Sequence, residues 1–205
     1  MPDLQAARGA PLSASRRHGD PPTGATVGEA PGSATAEPRS RATGLALGIG
    51  LVGLVVDQAT KVLAVRELTG REPVQVVGSW FELVLVRNPG AAFSAGASVT
   101  PVISVIAIVA TVVVLWQVRR VRHRAWALAL GLLLAGVTGN LVDRLLRPPG
   151  PLRGHVVDFF ALPNWPVFNV ADICINVAGA LLVLLLFRGI NPDGTRHDAA
   201  AGGTR

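Results

Sequence analysis

From Gly139 to Asp172 the chain reads GNLVDRLLRPPGPLRGHVVDFFALPNWPVFNVAD. Three aspartates (Asp143, Asp158, Asp172) and two asparagines (Asn140, Asn169) stand there at the ends of long apolar runs. Charge is costly in such a setting and is usually functional where it is found. Asn140 and Asp143 are three residues apart, as are Asn169 and Asp172, so on helices each pair projects from one face. Two polar helix faces and a connecting loop thus bring three carboxylates toward one place.

The surrounding composition says what kind of protein carries this stretch. Half of the 205 residues are hydrophobic, mean hydropathy is +0.45, and the apolar residues come in blocks rather than amphipathic stripes. That is the composition of a membrane protein. The blocks predict a membrane all-α fold of four transmembrane helices, at about 44–65, 101–118, 125–145 and 167–187. The first block, Gly44 to Val56, is too short to cross alone and must continue through Asp57 and Lys61. These two are at i and i+4 and can pair across one turn. The pair reads either as an interfacial ion pair that makes the helix end tolerable or as a structural support for the site.

Residues 66–100 are expected to form a small extracytoplasmic β-rich segment. Val74 to Val77 and Phe81 to Val86 look like two short strands separated by Gly78-Ser79. Asn88-Pro89-Gly90 is a turn signal, and Ala91 to Gly96 is small and weakly apolar. On the third span Gly131, Ala135 and Gly139 fall four apart, a small-residue ridge that permits close helix contact. Residues 1–43 and 188–205, rich in Gly, Pro, Ala and Arg, read as disordered cytoplasmic tails.

The net charge of +6 does not indicate nucleic acid, because Lys and Arg are scattered with one short cluster. That cluster, Arg119, Arg120, Arg122 and Arg124, sits between spans two and three, which the positive-inside rule puts in the cytoplasm. Both termini then lie inside, and 66–100 and 146–166 outside. Trp116 and Trp126 flank the inner loop while Trp80 and Trp165 belong to outer segments, so all four suit interfaces. Counting helical rise from Pro166 and from Ala125 puts Asp172 and Asp143 toward the outer leaflet.

Two carboxylates close together in a poorly solvated site cannot both ionise easily, so one keeps its proton. The protonated one can polarise a carbonyl while the other draws a proton from water. From the residues alone the pair is any two of the three aspartates. Asp143 is followed by Arg144, which suggests a charge-compensated structural or substrate-orienting role, whereas Asp158 lies in the apolar run Val156 to Phe160. Cys174 is the only cysteine, so no intrachain disulfide and no cysteine zinc site can form. No G-x-S-x-G or H-E-x-x-H occurs, so a serine nucleophile and a zinc protease site lack their signatures. Intramembrane carboxylates also relay protons in transporters, but these sit near one face and no internal repeat is evident.

Five segments together resemble, in order, the motifs of lipoprotein signal peptidase (signal peptidase II). They are Asp57-Gln58-Ala59-Thr60-Lys61, Asn88-Pro89-Gly90-Ala91-Ala92-Phe93-Ser94, Gly139-Asn140-Leu141-Val142-Asp143-Arg144, Val156-Val157-Asp158-Phe159 and Phe168-Asn169-Val170-Ala171-Asp172. The resemblance spans about Gly44 to Phe187 and leaves both tails outside it. It implies a multi-pass aspartic endopeptidase of the bacterial inner membrane, without metal or organic cofactor. Such an enzyme cuts prolipoproteins just before the diacylglyceryl-modified cysteine of the lipobox. Its implied partners are those lipidated precursors and membrane lipid. It implies Asp158 and Asp172 as the catalytic pair. Asn88, Gly90, Asn140, Asp143, Arg144 and Asn169 match positions that line the pocket and support substrate or dyad, and Asp57 matches a structural one. The link from Asp143 to Asp158 is long for the family and that from Asp158 to Asp172 short, so an outer hairpin or lid is expected to absorb both.

Overall fold

The computed structural model describes residues 39–90 and 99–196. Its elements run α1 (Arg39–Leu68), β1 (Val74–Val77), β2 (Phe81–Asn88), α2 (Thr100–Val118), α3 (Arg124–Leu146), β3 (Val156–Ala161) and α4 (Val170–Phe187). Each helix is long and apolar enough to cross a membrane. Large apolar side chains such as Leu51, Val55, Ile106 and Val109 stay exposed on their outer faces, which suits helices solvated by lipid tails.

The third helix packs against each of the other three, and small residues let it do so. A side-chain carbon at Gly131 would fall 2.7 Å from the Ala46 carbonyl oxygen, and one at Gly53 would fall 2.6 Å from Ala135 Cβ. The ridge expected from Gly131, Ala135 and Gly139 therefore faces α1. Gly136 points elsewhere on α3, where a side chain would collide with the Ala171 carbonyl oxygen and Ile175 of α4.

An apolar core that includes Ala42, Ala46, Val114, Val118, Val121, Leu130 and Leu185 fills the bundle at the end near the α2–α3 connection. Trp126, expected at an interface, belongs to this core instead, and its indole N–H donates to the Ile190 carbonyl at 2.9 Å. Burying an indole requires such an acceptor, and periodicity cannot reveal one supplied from 64 residues away. Residues 190–196, expected as part of a disordered tail, fold back there. The Arg122 and His123 N–H groups both donate to the Pro192 carbonyl, and Asn191 N–H donates to Thr195 O at 2.8 Å. Residues 39–43, expected in the other tail, belong to α1. The rest of the expected tails, and Ala91 to Gly96, lie outside the described residues.

The sheet differs from its expectation in one respect that matters for the site. Beyond the two strands between α1 and α2 it takes a third, β3, from the α3–α4 connection, in the antiparallel order β1-β2-β3. Its partner lies beyond two spanning helices in sequence, so nothing local signals the pairing. Ala64, Leu68, Val157 and Phe159 form a second apolar cluster between α1 and the sheet.

Candidate active site

Strand β3 carries Asp158. Val86 stands opposite Asp158 and Asn88 opposite Val156, so Asn88 and Asp158 are diagonal neighbours on one face of the sheet. Asn88 Nδ2 donates to Asp158 Oδ2 at 2.9 Å. The turn after β2 determines which way that amide points, because the Gly90 N–H donates to Asn88 Oδ1 at 2.8 Å. Gly90 has φ +115°, a conformation that favours glycine.

The chain then reverses tightly. Phe159 and Phe160 N–H donate to the Phe168 carbonyl, and Phe168 N–H returns a bond to Phe160 O at 3.0 Å. This reversal is how a short link brings Asp172 back beside Asp158. Asn169 was expected to share a helix face with Asp172, but it lies just outside α4 as its N-cap. The two form a capping box instead: Asp172 N–H donates to Asn169 Oδ1 at 3.0 Å, and Asn169 N–H to Asp172 Oδ2 at 3.1 Å. Asn169 Nδ2 also donates to Asp158 Oδ1 at 2.6 Å. A single buried asparagine therefore contacts both carboxylates.

On α3, Asn140 and Asp143 face the site as expected but divide their partners. Asn140 Nδ2 donates to Asp172 Oδ1 at 2.8 Å, while its Oδ1 accepts from Asn169 Nδ2 at 3.2 Å and Lys61 Nζ at 3.0 Å. Asp143 binds Lys61 at 2.9 Å, Arg147 Nε, and the Val157 N–H at 3.1 Å. Lys61 and Arg147 thus pair with it directly, and the adjacent Arg144, to which the sequence pointed, acts on it through its charge. Arg147 follows Asp143 at i+4, a legible spacing once the helix is known to continue that far. Arg144 is buried, and its Nη1 has no hydrogen-bond partner among the described residues.

Asp57 and Lys61 do pair across one turn of α1, and they do so inside the bundle. Both are 0% exposed, and Lys61 lies 2.9 Å from both Asp57 and Asp143. Asp57 Oδ1 accepts from the Ala171 N–H at 2.9 Å, joining α1 to the first turn of α4. Gln58, which sequence reasoning left without a role, donates to Asp57 Oδ2 and to the Gly139 carbonyl, each at 3.0 Å. Thr100 and Ser104 of α2 also escaped notice: they donate to the carbonyls of Pro89 and Leu152, fastening two loops beside the site. The long link from Asp143 to Asp158 folds onto the end of α3, with Gly154 N–H donating to Arg144 O at 3.0 Å.

Burial pushes the Asp158 carboxyl up to about 6, and the negative charge of Asp172 adds to that; the Asn88 and Asn169 donors and Lys61 pull the other way. Asp172 sits in the first turn of α4, at the positive end of a helix dipole. Two carboxylates in unlike environments, joined through one asparagine, can hold a proton between them and exchange it with a bound group.

Four helices long and apolar enough to span a membrane, with a buried Asp158 beside a half-buried Asp172, define a class: a multi-pass membrane protein whose polar site is equipped for acid–base chemistry. The model of the signal peptidase (SPase) II family matches residues 49–188. The lipoprotein signal peptidase of Mycolicibacterium smegmatis is 50% identical over 169 residues, 82% of this chain and 72% of that protein. Those of Streptomyces coelicolor and Mycobacterium tuberculosis strain H37Rv are 44% identical over 73% of this chain and 73% of that protein, and 43% identical over 87% and 89%. The chain belongs to the signal peptidase II family and is an aspartic peptidase of that type. Two solved structures of a bacterial membrane enzyme share the fold. They have TM-scores of 0.61 and 0.63 at 24% identity, covering 70% and 71% of this chain and 88% and 94% of theirs.

Proposed function

We propose that the chain removes signal peptides from prolipoproteins, cutting before a diacylglyceryl-modified cysteine, with Asp158 and Asp172 as the dyad that activates water. The observation that carries the reading is Asn169, which donates from its side chain to one acid and from its backbone to the other. In the reaction Asp158 serves as the acid, in keeping with its raised affinity for a proton, and Asp172 serves as the base. Water adds to the scissile carbonyl carbon as Asp172 takes its proton and Asp158 gives one to the carbonyl oxygen. The resulting gem-diol collapses with rupture of the C–N bond. Asp172 then protonates the leaving amine, and Asp158 recovers its proton from a hydroxyl.

The buried N–H of Arg144 is suited to a substrate oxygen, and Asn88, Gly90, Asn140 and Asn169 keep the acids in place. The site belongs to the end of the bundle remote from the Arg119 to Arg124 connection. With that connection in the cytoplasm, the acids lie near the outer face of the plasma membrane, level with a lipid-anchored cysteine. The termini then lie in the cytoplasm.

The test uses purified protein with matched lipidated and unlipidated lipobox peptides. Cleavage of the lipidated peptide alone is expected, with Asp158→Asn and Asp172→Asn each about 10²–10⁴-fold slower but still folded. Wild-type rates in either variant would remove that residue from the mechanism.

A further inference from the structure

Lys61 is fully buried, yet it does more than neutralise acids. Besides its ion pairs with Asp57 and Asp143, its ammonium donates to Asn140 Oδ1 at 3.0 Å. An ammonium can only donate, so the atom of the Asn140 amide that faces it must be the oxygen. The amide nitrogen is thereby turned toward Asp172, to which it donates at 2.8 Å. Turned over, the amide would set N–H against ammonium and carbonyl against carboxylate, two repulsions in a poorly solvated place. The oxygens of Asn88 and Asn169 accept from the backbone N–H groups of Gly90 and Asp172. The oxygen of Asn140 instead accepts from two side chains, Lys61 and Asn169.

Resting on the two-aspartate reading, we infer that Lys61 is a positioning residue for cleavage: it fixes the direction of the Asn140 amide and so holds Asp172 in the geometry that takes a proton from water. It does so without reaching substrate, from one helical turn beyond Asp57.

The charges around it supply a test that separates positioning from folding. Asp57, Asp143, Lys61 and Arg147 are two anions and two cations joined by ion pairs. Lys61→Met alone leaves the buried Asp57 carboxylate without its cation, whereas Lys61→Met combined with Asp57→Asn removes one charge of each sign. This double variant and Lys61→Arg are compared with the wild type in detergent on a lipidated peptide, with Asp172→Asn alongside. In the double variant, melting temperature and KM are expected to stay near wild type, while kcat falls about tenfold or more. The side-chain amide protons of Asn140, followed by NMR, are expected to exchange with solvent about tenfold faster as their fixed direction is lost. Lys61→Arg, which also only donates, is expected to keep most of kcat and the slow exchange.

Wild-type kcat and slow exchange in the double variant, with Asp172→Asn inactive, overturn the proposal alone. A rise in KM at unchanged kcat overturns it too, because it marks a contact with substrate. Should the double variant unfold, Lys61→Arg decides: folded protein with fast Asn140 exchange and lost kcat overturns the proposal. Full activity in Asp172→Asn sinks the reading beneath it and this inference with it.

Discussion

At Asp158 burial and the neighbouring Asp172 act in the same direction, and both favour the proton. The opposing donor from Asn88 can be removed without touching either acid. In Asn88→Ala the carboxyl loses a bond that stabilised its charged form, so the protonated acid survives to higher pH. The alkaline fall in kcat/KM, expected near pH 6 in the wild type, should move upward in this variant; a fall at unchanged pH would show that Asp158 is not the acid. The same carboxyl couples to stability. Its folded value is raised from 3.8 to about 6, so its favourable contribution is fully present below about pH 3.8 and is lost as pH rises through 6. The displacement amounts to about 3 kcal/mol at most. The stability of Asp158→Asn relative to wild type should therefore improve by up to about that much between pH 4 and pH 7, measured by thermal unfolding in detergent. A difference that does not vary with pH would contradict this.

Elements come together here through the absence of side chains as much as through their presence. At Gly136 a Cβ would meet the Ala171 carbonyl, a backbone atom that cannot swing aside. Gly136→Ala should push α4 from α3, cost about 1–3 kcal/mol, and lower cleavage by shifting the first turn that carries Asp172. Gly179 on α4 has nothing within 4 Å of the corresponding position, so Gly179→Ala should be neutral or slightly stabilising. Equal melting temperatures for the two variants would refute this account of the α3–α4 contact. The small residues of the α1–α3 contact were visible in the sequence as a spacing, whereas Gly136 at the α3–α4 contact stood outside that spacing. Which neighbour each face meets depends on how α3 is rotated in the bundle, and that is decided by all three helices packed against it.

For the whole molecule, the arginines of the α2–α3 connection set an orientation that labelling can test. With Cys174 replaced by alanine, Trp80→Cys and Trp165→Cys should react with an impermeant thiol reagent added outside intact cells. Arg120→Cys should react only after the membrane is opened. Both tryptophans are well exposed on the sheet side, at 74% and 65%, so failure to label from outside would reverse the orientation. Much of the molecule was legible from residues alone, because long apolar blocks cost too much in water to be anything but spans, and aspartates at their ends cost too much in lipid to be idle. The four helices and the three candidate acids, with Asn140 and Asn169 beside them, follow from those two costs; two of the strands follow from alternation, and the choice of Asp158 with Asp172 from the resemblance to the signal peptidase II motifs. Strand β3, the Asn169 capping box, the core position of Trp126 and the compensation of Asp143 by Lys61 and Arg147 do not. Each depends on partners brought near by packing, often tens of residues apart in sequence. Hydropathy and spacing say where a polar group will be expensive; only the folded bundle determines which neighbour satisfies it.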